Sequence, residues 1–135
     1  MFDTKIVIVV RDDLAVWQKL DVTAFLTSGV LGASAEMLGE IYEDGSGNRY
    51  SPLIRQPMIV LSADRQTLKS IHRRALERNA RLSLYIEEMF STGHDAANRA
   101  AVRQVTAESL NIVGLALRED KKVADKIIKG ARMHE

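Results

Sequence analysis

Six consecutive residues near the amino end, Lys5-Ile-Val-Ile-Val-Val10, limit most strongly what this chain can become. β-Branched side chains crowd a helix and suit a pleated strand, and an unbroken apolar run presents no face to water. Such a segment needs cover on both sides, the situation of a central strand in a layered α/β protein. A chain of 135 residues, 46% hydrophobic and 27% charged, can supply that cover without disulfides or metals. Its length predicts one domain over residues 1–135.

Arg11, Asp12 and Asp13 end the run, and a helix is predicted to follow, with Asp21 as its N-cap and Gly39 as its stop. Val22, Phe25, Leu26, Gly29, Ala33 and Met37 form its predicted inner stripe, and Gly29, Gly32 and nearby alanines let it approach a sheet closely. Residues 41–53 read as a hairpin or irregular excursion around Gly45 and Gly47. A strand follows at Met58 to Leu61, then a helix capped by Ser62 or Asp64, lined by Leu68, Ile71, Ala75 and Leu76 and ending near Asn79. Residues 81–86 and 110–117 read as further strands, and a last helix is expected over about 119–132. The alanine-rich stretch within 87–109 predicts an inserted helix over 94–105, suited to a lid or an oligomer contact, and a homodimer is expected. The pattern predicts an α/β fold, a small mixed sheet of about four strands with helices on both faces. A ferredoxin-like α+β arrangement is the alternative, because strand order is not set by periodicity.

The absence of cysteine removes thiolate nucleophiles and cysteine-based zinc sites. The opening MFDTKIVIVV lacks the features of a signal peptide, and no apolar run is long enough to span a membrane, so a cytoplasmic chain with no membrane partner is expected. A net charge of +1 is far from the basic bias of a dedicated nucleic-acid binder. Asp44-Gly-Ser-Gly-Asn48 imitates the start of a calcium loop but has Arg49 where the loop needs glycine, so it reads as a turn. His72 and His134 have no partners at ligand spacing, and no metal or cofactor is expected.

Candidate site residues gather in two places. Arg11, Asp13 and Lys19 lie just past the carboxyl end of the first strand, where open α/β sheets bind ligands. An arginine and a lysine there can hold a phosphate or carboxylate, and equally Arg11 can pair with Asp12 or Asp13 and only fix the turn. Thr23, Thr27 and Ser28 can turn hydroxyls to the same ligand or sit on the helix flank. Trp17 can line a pocket or anchor a loop. The second group is Glu87, Glu88, Ser91, Thr92 and His94, where neighbouring carboxylates and a histidine near hydroxyls suit acid–base work or form a solvated loop. Arg65, Lys69 and Arg73 make a basic stripe that fits either RNA phosphates or a solvated helix face.

Lys5-Ile-Val-Ile-Val-Val-Arg-Asp-Asp-Leu14 resembles the opening strand and turn of the type II peptidyl-tRNA hydrolases. Gln56-Pro-Met-Ile-Val-Leu61, Leu82-Ser-Leu84 and Asn111-Ile-Val-Gly-Leu115 are similar to later strands of that family. The wording Trp17-Gln-Lys-Leu-Asp-Val-Thr-Ala-Phe25 looks more like a bacterial family, domain-of-unknown-function family 2000, that shares the hydrolase-like fold. The resemblance implies a peptidyl-tRNA hydrolase II-like scaffold. It also implies catalytic duty for Lys19, stabilising developing negative charge, and for Glu87 with Ser91 or Thr92, activating water. The hydrolases carry a glycine-lysine turn, a glutamine and a histidine after the first strand. This chain lacks both glycines there and has Phe25 and Ser28 at the other two positions. A protein that binds a small anionic or phosphate-bearing ligand therefore ranks first. A hydrolase of peptidyl-tRNA or another ester, with tRNA as partner, ranks second, and an oligomeric interaction module third.

Overall fold

The computed structural model describes residues 2–135. The apolar run becomes β1 (Thr4–Arg11) at the middle of a five-stranded mixed sheet. In chain order the other elements are α1 (Val16–Ala33), β2 (Tyr42–Glu43), β3 (Arg49–Tyr50), β4 (Met58–Ala63), α2 (Arg65–Glu77) and β5 (Leu82–Ile86). They are followed by α3 (Asp95–Arg103), β6 (Ile112–Asp120), α4 (Lys121–Ile127) and β7 (Arg132–Met133). The sheet order is β5-β6-β1-β4-β7, and β2 and β3 form a separate two-stranded hairpin. β1 runs parallel to β4, with Ile8 beside Val60, and antiparallel to β6, with Ile8 beside Ala116.

Strand alternation divides the core in two. Ile6, Ile8 and Val10 point to the face covered by α1, where they meet Val22, Leu26 and Val30. Val7 and Val9 point to the other face and join Leu68, Ile71 and Ala75 of α2 and Ala124 and Ile127 of α4. Helices on both faces rule out the ferredoxin-like alternative, in which the helices share one face.

Several boundaries differ from the sequence reading. The sheet has five strands rather than four, because the chain end returns as β7 beside β4, and residues 118–120 lengthen β6. The last helix is accordingly short, ending at Ile127, with Gly130 turning the chain at φ 101°. α1 begins at Val16, five residues before Asp21, and stops at Ala33, so Asp21 lies inside the helix and Gly39 outside it. The inner stripe of α1 is Val22, Leu26 and Val30, which leaves Phe25 exposed on a flank. Leu76 of α2 is likewise exposed, and His72 is buried in its place. Asp64, not Ser62, caps α2, accepting the Thr67 amide at 2.7 Å, and Asn79 ends the turn after that helix at φ 54°.

Two glycines set how closely α1 lies on the sheet. A Cβ on Gly114 of β6 would come within 2.6 Å of Val22 Cγ1 and 3.0 Å of Leu26 Cδ1. One on Gly29 would strike the Ser83 hydroxyl on β5. Gly32 is different: a Cβ there would meet nothing within 4 Å. Glycine costs up to about 1 kcal/mol in a helix relative to alanine, and no contact within this chain accounts for it at that position.

Candidate functional site

β1, β4 and β5 all point their carboxyl ends to the same edge of the sheet, because β6 is antiparallel to both β1 and β5. After β1 the chain crosses by α1 to β4. After β4 it crosses by α2, on the opposite face, to β5 on the far side of β1. That reversal of direction makes the strand ends between β1 and β5 a topological switch point, the kind of place where open α/β sheets bind ligands.

Arg11, the last residue of β1, lies at the floor of this edge and is buried. Its Nε donates to Asp13 Oδ1 at 2.5 Å, and its Nη2 lies 3.7 Å from Glu87 Oε1 at the end of β5. Its Nη1 is buried and has no hydrogen-bond partner among the described residues. Asp13 and Glu87 themselves remain more than half exposed, so water shares their charge. The turn is pinned further by the Asp12 amide, which donates to Ala63 O at 2.9 Å, and Arg132 Nη2 stands 3.8 Å from Asp12 Oδ2.

The start of α1 supplies a second set of donors. Gln18 Oε1 accepts the Ala15 amide at 3.0 Å, but Ala15, as N-cap, has no oxygen to return to the first turn. The amides of Val16, Trp17 and Gln18 therefore have no acceptor among the described residues, and no acidic residue stands in that turn. Lys19 lies one turn before Val22 on the sheet-facing stripe, half-buried, with no carboxylate within 4.0 Å among the described residues. Arg11 follows Val7 and Val9 toward the α2 side, whereas Lys19 belongs to the α1 side. The strand-end edge lies between them.

The hydroxyls named with this site hydrogen-bond within α1. Thr23 donates to Lys19 O at 2.7 Å, Thr27 to Thr23 O at 2.8 Å and Ser28 to Phe25 O at 2.5 Å. The second predicted group is split by the fold. Glu87 reaches Arg11, while Glu88 accepts from Asn111 Nδ2 at 3.0 Å beside it. Thr92 donates to Met89 O at 3.1 Å and bonds Asn98, and His94 Nδ1 accepts the Ala97 amide at 3.2 Å as the N-cap of α3. Both serve the entry of α3. Ser91 is exposed with no hydrogen bond among the described residues. Asp44 ties its own hairpin, accepting from Tyr50 Oη at 2.7 Å and Asn48 Nδ2 at 2.9 Å, and these donors hold its carboxyl well below the usual range. No group of three or more potential metal ligands occurs among the described residues. No helix among them is long and apolar enough to cross a membrane.

Four aromatic rings close the α1 side of the edge. Trp17 meets Phe90 edge-on at 5.8 Å, Phe90 leans on Tyr85 at 5.2 Å, and Tyr85 on Phe25 at 6.0 Å. The Tyr85 hydroxyl donates to Asp21 Oδ2 at 3.3 Å, and burial, with the Asp21 charge, pushes its phenol up to about 12. Beyond these rings a groove of about 480 Å³ runs between α1 and α3 along the open edge of β5, past Ser83, Asn98 and Val102. Sequence reading missed Asn111, Arg132 and Phe90 as parts of this end of the molecule. Each comes from a different segment, and no periodic or spacing signal marks it.

A mixed α/β scaffold with a buried, incompletely partnered arginine at the switch point of its sheet defines a class, not yet a family. The family comes from comparison: residues 4–135 match the model described as protein of unknown function, DUF2000, and the chain belongs to that family. A solved structure of a protein of unknown function, Atu0240 from Agrobacterium tumefaciens strain C58, is 56% identical. It matches with a TM-score of 0.98 over 100% of both chains. No match was found among curated proteins.

Proposed function

We propose that this protein binds a small ligand bearing an anionic oxygen, a phosphate or a carboxylate, at the strand ends between β1 and β5. The observation that carries the reading is Arg11 Nη1, a charged donor buried without an acceptor. Leaving such a group unsatisfied costs about 1–3 kcal/mol, and buried unsatisfied groups in native proteins are rare enough to need a reason. Asp13 and Glu87 hold the other guanidinium nitrogens, so the free one is pre-positioned rather than floppy. The uncapped first turn of α1 adds amides and the positive end of the helix dipole at the same edge. Arg11 and Lys19 contact the ligand in this reading and Asp13 positions Arg11.

Thermal unfolding with inorganic phosphate, pyrophosphate and acetate tests the proposal. Mass action stabilises the folded chain by about 2.7 kcal/mol at a hundredfold excess of a bound anion over its Kd, and the midpoint rises accordingly. The rise should vanish in Arg11→Met and shrink in Lys19→Ala. A wild-type protein indifferent to every one of these anions would overturn the reading.

A second reading, hydrolysis of an ester such as peptidyl-tRNA on a peptidyl-tRNA hydrolase II-like scaffold, draws on Glu87. Its half-exposed carboxylate is oriented by Arg11 and free to activate water. Lys19 then stabilises the developing oxyanion, and of the two hydroxyls expected to help Glu87, Ser91 is the one left for the task, since Thr92 is engaged at the entry of α3. Turnover of an N-blocked aminoacyl-tRNA that falls in Lys19→Ala and Glu87→Gln supports it. Absence of turnover by folded protein removes it.

A further inference from the structure

The two edges of the sheet are guarded unequally. An edge strand presents unpaired N–H and C=O groups, and proteins blunt such edges with short strands, charges or proline. At one edge β7 is only two residues long. At the other, β5 has five, Leu82-Ser-Leu-Tyr-Ile86, without a charge or a proline. Alternate residues of β5 bond to β6, and the others turn their main-chain groups outward. Among the described residues, no backbone group of another segment hydrogen-bonds to that outer side.

That outer side opens into the groove of about 480 Å³ between α1 and α3. Ser83 and Tyr85 belong to the α1 face of the sheet and Leu84 to the α2 face. A groove that touches all three in succession therefore lies along the edge of the strand, not on either face. Phe25, Leu26 and Gly29 of α1 form one wall, and Asn98, Val102 and Arg103 of α3 form the other. The inserted helix thus shelters the edge without pairing with it.

We infer that this groove takes an extended peptide segment of another protein, which adds to the sheet as a further strand beside β5. In this mode main-chain hydrogen bonds supply affinity, and pockets for alternate side chains supply specificity. At about 3.4 Å per residue, β5 offers pairing to roughly five residues of such a segment. Alternate side chains of the segment meet Phe25 and Leu26 on one wall and Val102 on the other, so apolar residues suit those positions. Charge narrows the choice further. Arg99 is paired with Asp95 at 2.6 Å, whereas Arg103 makes no salt bridge among the described residues. The groove therefore favours a segment with an acidic residue facing α3. A second copy of this chain is the poorer occupant, because it would bring its own α1 and α3 to the same seam.

Amide hydrogen exchange on the free full chain should be fast at alternate residues of β5 and slow at the rest. Selection on the full chain from a random linear heptapeptide library should enrich sequences with apolar residues at every second position and an Asp or Glu. The tightest of these, synthesised with a fluorophore, should slow the fast β5 amides. N-methylation of its alternate residues on the side facing β5 should weaken binding by about tenfold or more, through lost main-chain hydrogen bonds. The same methyl groups moved along by one residue should leave binding intact. Arg103→Glu should weaken it about threefold, and lysine in place of the peptide's acid should restore binding to that variant. Tyr42→Lys, on the separate hairpin, should change nothing. Slow exchange at every β5 amide in the free chain would show the edge already paired with a second copy and overturn the proposal. A selection that enriches nothing overturns it too. So does a peptide indifferent to the register of its methyl groups, which would leave the groove to side-chain contacts or a small molecule.

Discussion

Replacing Arg11 by methionine separates a structural arginine from one kept for a ligand. Methionine retains the length of the aliphatic stem and fills most of its packing volume. What disappears is the guanidinium, and its three nitrogens contribute differently. Nη1, buried without a partner, is a liability whose removal returns about 1–3 kcal/mol. Nε bonds Asp13 at 2.5 Å, a charge-assisted contact worth about 1.5–3 kcal/mol when shielded. Asp13 is 55% exposed, however, which discounts the contact to roughly half. Nη2 lies 3.7 Å from Glu87, itself 53% exposed, and such a pair contributes less than about 1 kcal/mol. Both carboxylates keep their water when the arginine is gone, so neither becomes a stranded buried charge. Gain and loss cancel to within about 1 kcal/mol. For a chain of this size that is a change in Tm of no more than about 5 °C in either direction. Urea unfolding followed by circular dichroism, with the slope checked for constancy, measures it. A loss above about 3 kcal/mol would show that the arginine holds the strand ends together and that Nη1 is satisfied in solution. The argument for a ligand would then fail at its first step.

Gly114→Ala should cost about 1–3 kcal/mol through overpacking against Val22 and Leu26, lowering the urea midpoint at constant slope. An unchanged midpoint would mean that α1 sits farther from β6 than described. Burial holds the His72 imidazole below its ordinary value of 6.5, so the unfolded chain takes up a proton more readily than the folded one. The stability linked to His72 is fully present above that ordinary value and is lost as the pH falls through the lowered one. A Tm series from about pH 8 to about pH 5 should show the decline, and His72→Leu should flatten it. Spectrophotometric titration should find one tyrosine ionising near 12, and Asp21→Asn should lower that value only in part, because burial is the larger cause. Asp64→Ala removes the cap of α2 and should lower Tm measurably at neutral pH. Because the Thr67 amide keeps the Asp64 carboxyl below its usual range, that difference should fade as the pH falls through the lowered value.

The strands and the type of fold were legible in the residues because burial on two faces demands an unbroken apolar run, and β1 has one. Asp64 and Asn79 were legible for a local reason, since a cap or a left-handed turn is satisfied within a few residues. α1 was misjudged at both ends, and its inner stripe was misphased. Its residues are apolar nearly all round, so periodicity could not say which side faces the sheet. Gly114 and Ser83, more than fifty residues away, decide that. Strand β7 was invisible because two residues form a strand only when an edge, here that of β4, is present to pair with them.

The candidate site divides along the same line. The sequence by itself determined that Arg11 would stand at the end of a central strand, with Asp13 near enough to pair with it. Only the tertiary structure brought Glu87 across from β5, left one guanidinium nitrogen without an acceptor, and spent Thr92 and His94 on the entry of α3. Chain-local chemistry depends on neighbours in sequence. A buried charge and an open strand edge depend on what the sheet order brings alongside them, and that is settled only when every layer has found its partner.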